Sequence, residues 1–158
     1  MNNELRELYQ EVIIDHGRRP RNFKVLQEYS HSQEGYNPLC GDRLQLFLLI
    51  RPGPEQVIEE ASFLGEGCAI SMASASLLTE CLKGKTIAEA QTLFQQFHQL
   101  LTGDTAVQAE PEKLGKLQVL AGVRAFPTRI KCATLAWHAL LGALNEDEDK
   151  PEAWVTTE

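Results

Sequence analysis

Near the start of the chain, Leu5, Leu8, Tyr9, Val12, Ile13 and His16 recur at helical spacing and form one stripe. They predict a helix with Gly17 as its C-terminal cap, and Pro20 blocks continuation. The pattern over 24–37 is weak and predicts at most an edge strand around 27–31. At residue 44 the period changes to two. Leu44, Leu46, Leu48 and Ile50 face one way and Phe47 and Leu49 the other, which predicts a strand over 44–51 covered on both faces. A turn over 51–56, with Pro52-Gly53-Pro54 at its centre, leads into a returning strand over 57–64 that carries Val57, Ala61 and Phe63 on one face. So short a connection makes the pair antiparallel.

After the hairpin the pattern is helical. From Cys68 onward, Ile70, Ala73, Leu77 and Cys81 share a side. Thr86-Ile87-Ala88-Glu89 has the form of a capping box, and Ile87, Ala90, Phe94, Phe97 and Leu101 continue it as an amphipathic stripe. Residues 105–110 read as a polar loop. Pro111 can open a short helix carrying Leu114, Leu117, Val119 and Leu120, which the 122–127 stretch breaks. A last helix, from about residue 128 or 129 to Leu144, carries Cys132 near its start. Leu135, Ala136, Ala139, Leu140 and Ala143 line its core side. The expectation is an α+β fold, a small antiparallel sheet of about three strands with helices packed on it, spanning 1–144 as one domain. Residues 145–158 are acidic and poor in apolar side chains, and are expected to form a disordered tail.

Composition narrows the class. A chain of 158 residues, 43% hydrophobic and 23% charged, is an ordinary globule with room for a core. No apolar run approaches the roughly 20 residues that span a bilayer. The opening Met1-Asn2-Asn3-Glu4 does not read as a signal peptide, so a cytoplasmic protein with no membrane role is expected. The net charge of −7 argues against a nucleic-acid partner. Six acids and one lysine within 145–158 supply most of that charge. The four cysteines of such a chain point to metal or catalysis before disulfides.

The chemistry gathers at one end of the hairpin. Gly65-Glu66-Gly67-Cys68 is a glycine-flanked turn that opens a helix, and a thiol there meets free N–H groups and the positive end of the helix dipole. Folding the hairpin about its turn sets Asp42 near Gly65 and Cys40 near Gly67, within a residue or two of register. Cys40, Asp42 and Cys68 therefore meet by pattern alone. Cys81 lies 13 residues beyond Cys68, about 20 Å along a helix, and is assigned to the core. Spacing does not bring Cys132 to the site. Three thiolates and a carboxylate suit tetrahedral Zn²⁺, and soft sulfur donors also suit iron–sulfur clusters.

Three ordered blocks resemble the signatures of the U-type iron–sulfur cluster assembly family. They are Asn37-Pro38-Leu39-Cys40-Gly41-Asp42, the run Gly65-Glu66-Gly67-Cys68-Ala69-Ile70-Ser71-Met72-Ala73-Ser74-Ala75-Ser76, and Arg129-Ile130-Lys131-Cys132-Ala133-Thr134-Leu135-Ala136-Trp137. The basic corner between Asp15 and Asn22 is similar to the family's N-terminal block. The resemblance implies that Cys132 joins Cys40, Asp42 and Cys68 as metal ligands. IscU-type members carry a histidine before the last cysteine and a Leu-Pro-Pro-Val-Lys segment ahead of it. Here Lys131 stands in that place, after Ala125-Phe126-Pro127-Thr128-Arg129-Ile130. Arg-Ile-Lys-Cys, and the apparent insertion over about 103–122, resemble the SufU-type branch.

That likeness implies a zinc-dependent sulfurtransferase, or sulfur carrier, that takes persulfide sulfur from a SufS-type cysteine desulfurase and hands it to downstream iron–sulfur assembly proteins. Cys40, in a mobile turn, is the expected sulfur acceptor, and Arg129 the expected charge that steadies the released sulfur. The alternatives are a scaffold holding a transient iron–sulfur cluster and a purely structural zinc module.

Overall fold

The computed structural model describes residues 3–38, 41–102, 114–144 and 154–156. Helix α1 (Asn3–Arg18) precedes strands β1 (His31–Asn37), β2 (Asp42–Arg51) and β3 (Val57–Glu66). Helices α2 (Ala69–Leu82) and α3 (Ile87–Thr102) follow, then a 3₁₀ helix η1 (Gly115–Ala125), helix α4 (Pro127–Leu144) and a short strand β4 (Trp154–Thr156). The sheet order is β3-β2-β1-β4, with the first three strands antiparallel and β4 parallel to β1. The α+β expectation of a three-stranded antiparallel sheet under helices therefore holds, with one parallel edge strand added.

Helices cover the inward face of the sheet. Helix α4 lies across β1 and α2, while α2 is wedged between α1, α4 and β3. Leu46, Leu48, Ile58 and Phe63 are fully buried in one core with Leu77, Leu78, Trp137 and Leu140. Trp137 also stacks on Phe97 of α3, ring centroids 4.6 Å apart. The second face of β2 is covered locally, where Tyr29 meets Phe47 edge-on at 5.1 Å. The capping box forms as read: Thr86 N–H donates to Glu89 Oε1 at 3.0 Å and Glu89 N–H to Thr86 Oγ1 at 3.1 Å.

Several expectations shift. The first strand is 31–37 rather than 27–31, because it follows the ladder offered by Leu44–Leu48 and not its own weak pattern. A bulge where the β2–β3 register shifts between Leu49 and Ile50 reverses the facing of the start of β3. Ile58 is fully buried there, while Val57 is only half-buried. Leu8 is exposed, so the packed stripe of α1 is Tyr9, Val12, Ile13 and His16. Gly17 does not cap that helix. It sits inside α1, where a Cβ would lie 3.2 Å from Ala69 O, so glycine permits the close crossing of α1 over α2. The short helix is 3₁₀ and ends at Ala125, inside the 122–127 stretch read as its break.

Pro111, and most of the stretch read as an insertion, lie outside the described residues. So does the tail apart from 154–156, whose pairing with Glu34–Tyr36 departs from the expectation of disorder. Main-chain hydrogen bonding at an open sheet edge needs little from side chains, so hydropathy does not reveal it. No described helix is long and apolar enough to cross a membrane.

Candidate metal centre

Asp42 opens β2, Cys68 stands just before α2, and Cys132 lies in the second turn of α4. One ligand atom from each falls within 4.8 Å of the others. Asp42 and Cys132 are fully buried and Cys68 is half-buried. The β2–β3 ladder pairs Arg43 with Glu66 and Leu44 with Gly65, which brings Asp42 to Gly67, two residues from the expected register. A Cβ on Gly67 would collide with Asp42 Oδ1, and one on Gly65 would collide with Arg43 O and Leu44 Cα. The two glycines thus serve close approach, not the sharp turn read from sequence. Gly67 is glycine because a carboxylate occupies the space of its side chain.

Local bonds hold the donors. Cys68 is the N-cap of α2, and its Sγ accepts the Ser71 N–H at 3.4 Å, as a thiol at a helix start should. Asp42 Oδ1 accepts the Cys68 N–H at 2.9 Å, and Oδ2 lies 3.8 Å from Cys68 Sγ. Cys132 lies deeper in its helix than the sequence placed it. Five residues of α4 precede it, so free first-turn amides do not reach its sulfur. Asn37 at the end of β1 instead donates its side-chain N–H to Cys132 Sγ at 3.6 Å. Sequence reasoning missed Asn37. Its signal was its place as the first residue of the Asn37–Asp42 block.

Cys40 lies outside the described residues. Gly41, which follows it, has φ of 72°, a left-handed conformation suited to glycine, and its N–H donates to Asn37 O at 2.8 Å. Arg129 is exposed in the first turn of α4, three residues before Cys132. Cys81 stays away from the cluster, as expected. It lines a separate cavity with Leu77, Glu80 and Lys116, and burial pushes its thiol pKa up.

Behind the cluster, the basic corner is tied to α2. His16 Nδ1 and Ser76 Oγ hydrogen-bond at 2.7 Å, Arg21 N–H donates to the same hydroxyl at 2.8 Å, and the Arg21 guanidinium pairs with Asp15 at 2.6 Å. Asn22 takes a positive φ and accepts the Phe63 N–H, which links this corner to β3. Asp15, His16, Arg21 and Asn22 thus tie the corner to α1, α2 and β3.

The donor set fits a zinc ion. A tetrahedron with zinc–sulfur bonds of about 2.3 Å has edges of about 3.8 Å, so the three donors need draw in by no more than about 1 Å. A fully buried carboxylate beside two thiols is also costly without a cation to share it.

The family described as NifU-like N terminal domain matches residues 8–146. The chain belongs to that family. It is 41% identical over 150 residues to the zinc-dependent sulfurtransferase SufU of Bacillus subtilis (strain 168), covering 93% of this chain and 96% of that one. It is 40% identical over 144 residues to the iron–sulfur cluster assembly scaffold protein IscU of Streptococcus pyogenes serotype M1, covering 90% and 86%. Among solved structures, a SUF-system iron–sulfur cluster assembly scaffold protein from Fervidobacterium islandicum AW-1 superposes with a TM-score of 0.77 at 30% identity, covering 87% of this chain and 97% of that one. The resemblance read from three sequence blocks is thus a family membership that spans nearly the whole chain.

Proposed function

We propose that this protein is a zinc-dependent sulfur carrier for iron–sulfur cluster biogenesis, charged by a cysteine desulfurase of the SufS type. The observation that carries this reading is the convergence of Asp42, Cys68 and Cys132 from three separate elements. The 41% identity to a zinc-dependent sulfurtransferase supports it, as does Lys131 standing where a histidine ligand would precede Cys132. In this reading Cys40, Asp42, Cys68 and Cys132 hold one zinc ion. Bound zinc would keep the thiols deprotonated and shielded from oxidation until sulfur arrives.

The chain's residues then divide the work. Cys40, next to the left-handed Gly41, is the thiol assigned to accept sulfur. Its thiolate attacks the outer sulfur of the desulfurase persulfide. The S–S bond of that persulfide breaks as a new S–S bond forms on Cys40, and the desulfurase cysteine leaves as thiolate, so no net oxidation occurs. Cys68 stays, held by its helix cap, and Asp42 keeps a negative oxygen at the site. The exposed guanidinium of Arg129 supplies positive charge for the anionic persulfide. Downstream iron–sulfur assembly proteins receive the sulfur.

A scaffold role is the second reading, favoured by the 40% identity to a protein named as a scaffold. Anaerobic purification followed by elemental analysis separates the two, since a carrier holds about one zinc and a scaffold holds iron and sulfide. Incubation with a desulfurase and cysteine, then peptide mapping by mass spectrometry, should place one added sulfur on Cys40. Cys40→Ala should lose both the adduct and the stimulation of the desulfurase. A persulfide on Cys132 that survives in Cys40→Ala would overturn the choice of acceptor.

A further inference from the structure

The end of β1 holds a fully buried polar residue, Asn37, hydrogen-bonded to one of the three described donors and paired across the ladder with another. Its side-chain amide donates to Cys132 Sγ at 3.6 Å. Its backbone is the ladder partner of Asp42, and its carbonyl accepts the Gly41 N–H at 2.8 Å. Asp42 Oδ1 in turn accepts the Cys68 N–H. One chain of contacts therefore runs Cys132–Asn37–Asp42–Cys68, and Asn37 joins the thiol on α4 to the hairpin end.

We infer that Asn37 is a positioning residue that makes Cys132 a resident ligand, an assignment that rests on the zinc reading above. The physical reason lies in the two thiols. Cys68 is steadied by an amide of its own helix start, but Cys132 sits too deep in α4 for such help. An N–H donated to a thiolate draws off electron density and lowers its nucleophilicity, and it also fixes the sulfur's direction. With Asn37 in place, Cys132 is oriented toward Asp42 and Cys68 and muted as an attacking group. Sulfur exchange is thereby left to another thiol of the set. Asn37 acts only through Cys132 and the loop geometry, so it touches neither incoming sulfur nor metal.

Cobalt(II) substituted for zinc in the full chain reads this directly, because sulfur-to-cobalt charge-transfer bands report electron density on each thiolate. Asn37→Leu keeps the branched shape and removes the donor. The expected result is a charge-transfer band moved to lower energy, with zinc affinity by chelator competition down about 10- to 100-fold. Circular dichroism of the metal-free chain checks that the variant folds. Should Asn37→Leu fail to fold, Asn37→Ala carries the same expectation. A folded variant with an unmoved band overturns the inference even if its affinity falls, since packing alone would explain that loss. If the unsubstituted chain shows no thiolate–cobalt bands, the metal reading itself fails and this inference falls with it.

Discussion

At the scale of single residues, the site depends on where small groups leave room. Gly67 lacks a side chain because Asp42 Oδ1 stands in that place. Gly67→Ala should displace the carboxylate and lower zinc affinity at least about tenfold, in the range expected when a ligand's support is lost. Unchanged affinity by chelator competition would show that the carboxylate is not needed. His16 gives a pH prediction. Burial, helped by the Arg21 charge, holds its imidazole below the ordinary 6.5, against the weaker pull of Glu80. Lys116 also lowers it and Asp15 raises it. A base with a depressed pKa contributes stability above 6.5 that is lost as pH falls through its lowered value. Melting temperature should therefore fall on acidification from about pH 8 to about pH 5, and His16→Gln should flatten that slope. His138, also lowered by burial, adds the same sign, so the slope should flatten without vanishing. Cys68 was legible as a cap because capping is local. Cys132 was not, because its partner Asn37 lies 95 residues away.

At the scale of elements, strong periodicity located α2, α3 and α4 well, and the capping box marked the start of α3 to the residue. Weak patterns failed where a neighbour decided the outcome. Strand β1 takes its place from the ladder on β2, and the bulge after Leu49 sets which side of β3 faces inward. Strand β4 is the clearest case, since its three residues pair in parallel with Glu34–Tyr36. Truncation after Leu144 removes that pairing at the sheet edge, on the side away from β2. The melting temperature should drop by no more than about 2–4 °C, equivalent to about 1 kcal/mol, and metal content should stay unchanged. A loss of zinc on truncation would mean that the edge strand holds the end of β1, and with it Asn37, in place.

At the scale of the whole molecule, the proposed metal would tie together three elements far apart in the chain: β2, the start of α2, and α4. Zinc at about 100 times its dissociation constant should stabilise the fold by about 2.7 kcal/mol and raise the melting temperature by about 5–10 °C, which a chelator reverses. Cys81→Ser should retain one zinc per chain, whereas Asp42→Ala, Cys68→Ser and Cys132→Ser should each weaken it. A Cys81→Ser chain without metal would contradict the ligand set. The sequence by itself determined the hairpin, the helices after it, the exclusion of Cys81, and the meeting of Asp42 with Cys68, because each follows from periodicity or from a turn a few residues long. Only the tertiary structure decided that Cys132 reaches them, that Asn37 holds it, and that the last residues add a strand. Those contacts join segments far apart in the chain, and packing of α4 across β1 and α2, not any local preference, brings them within bonding distance.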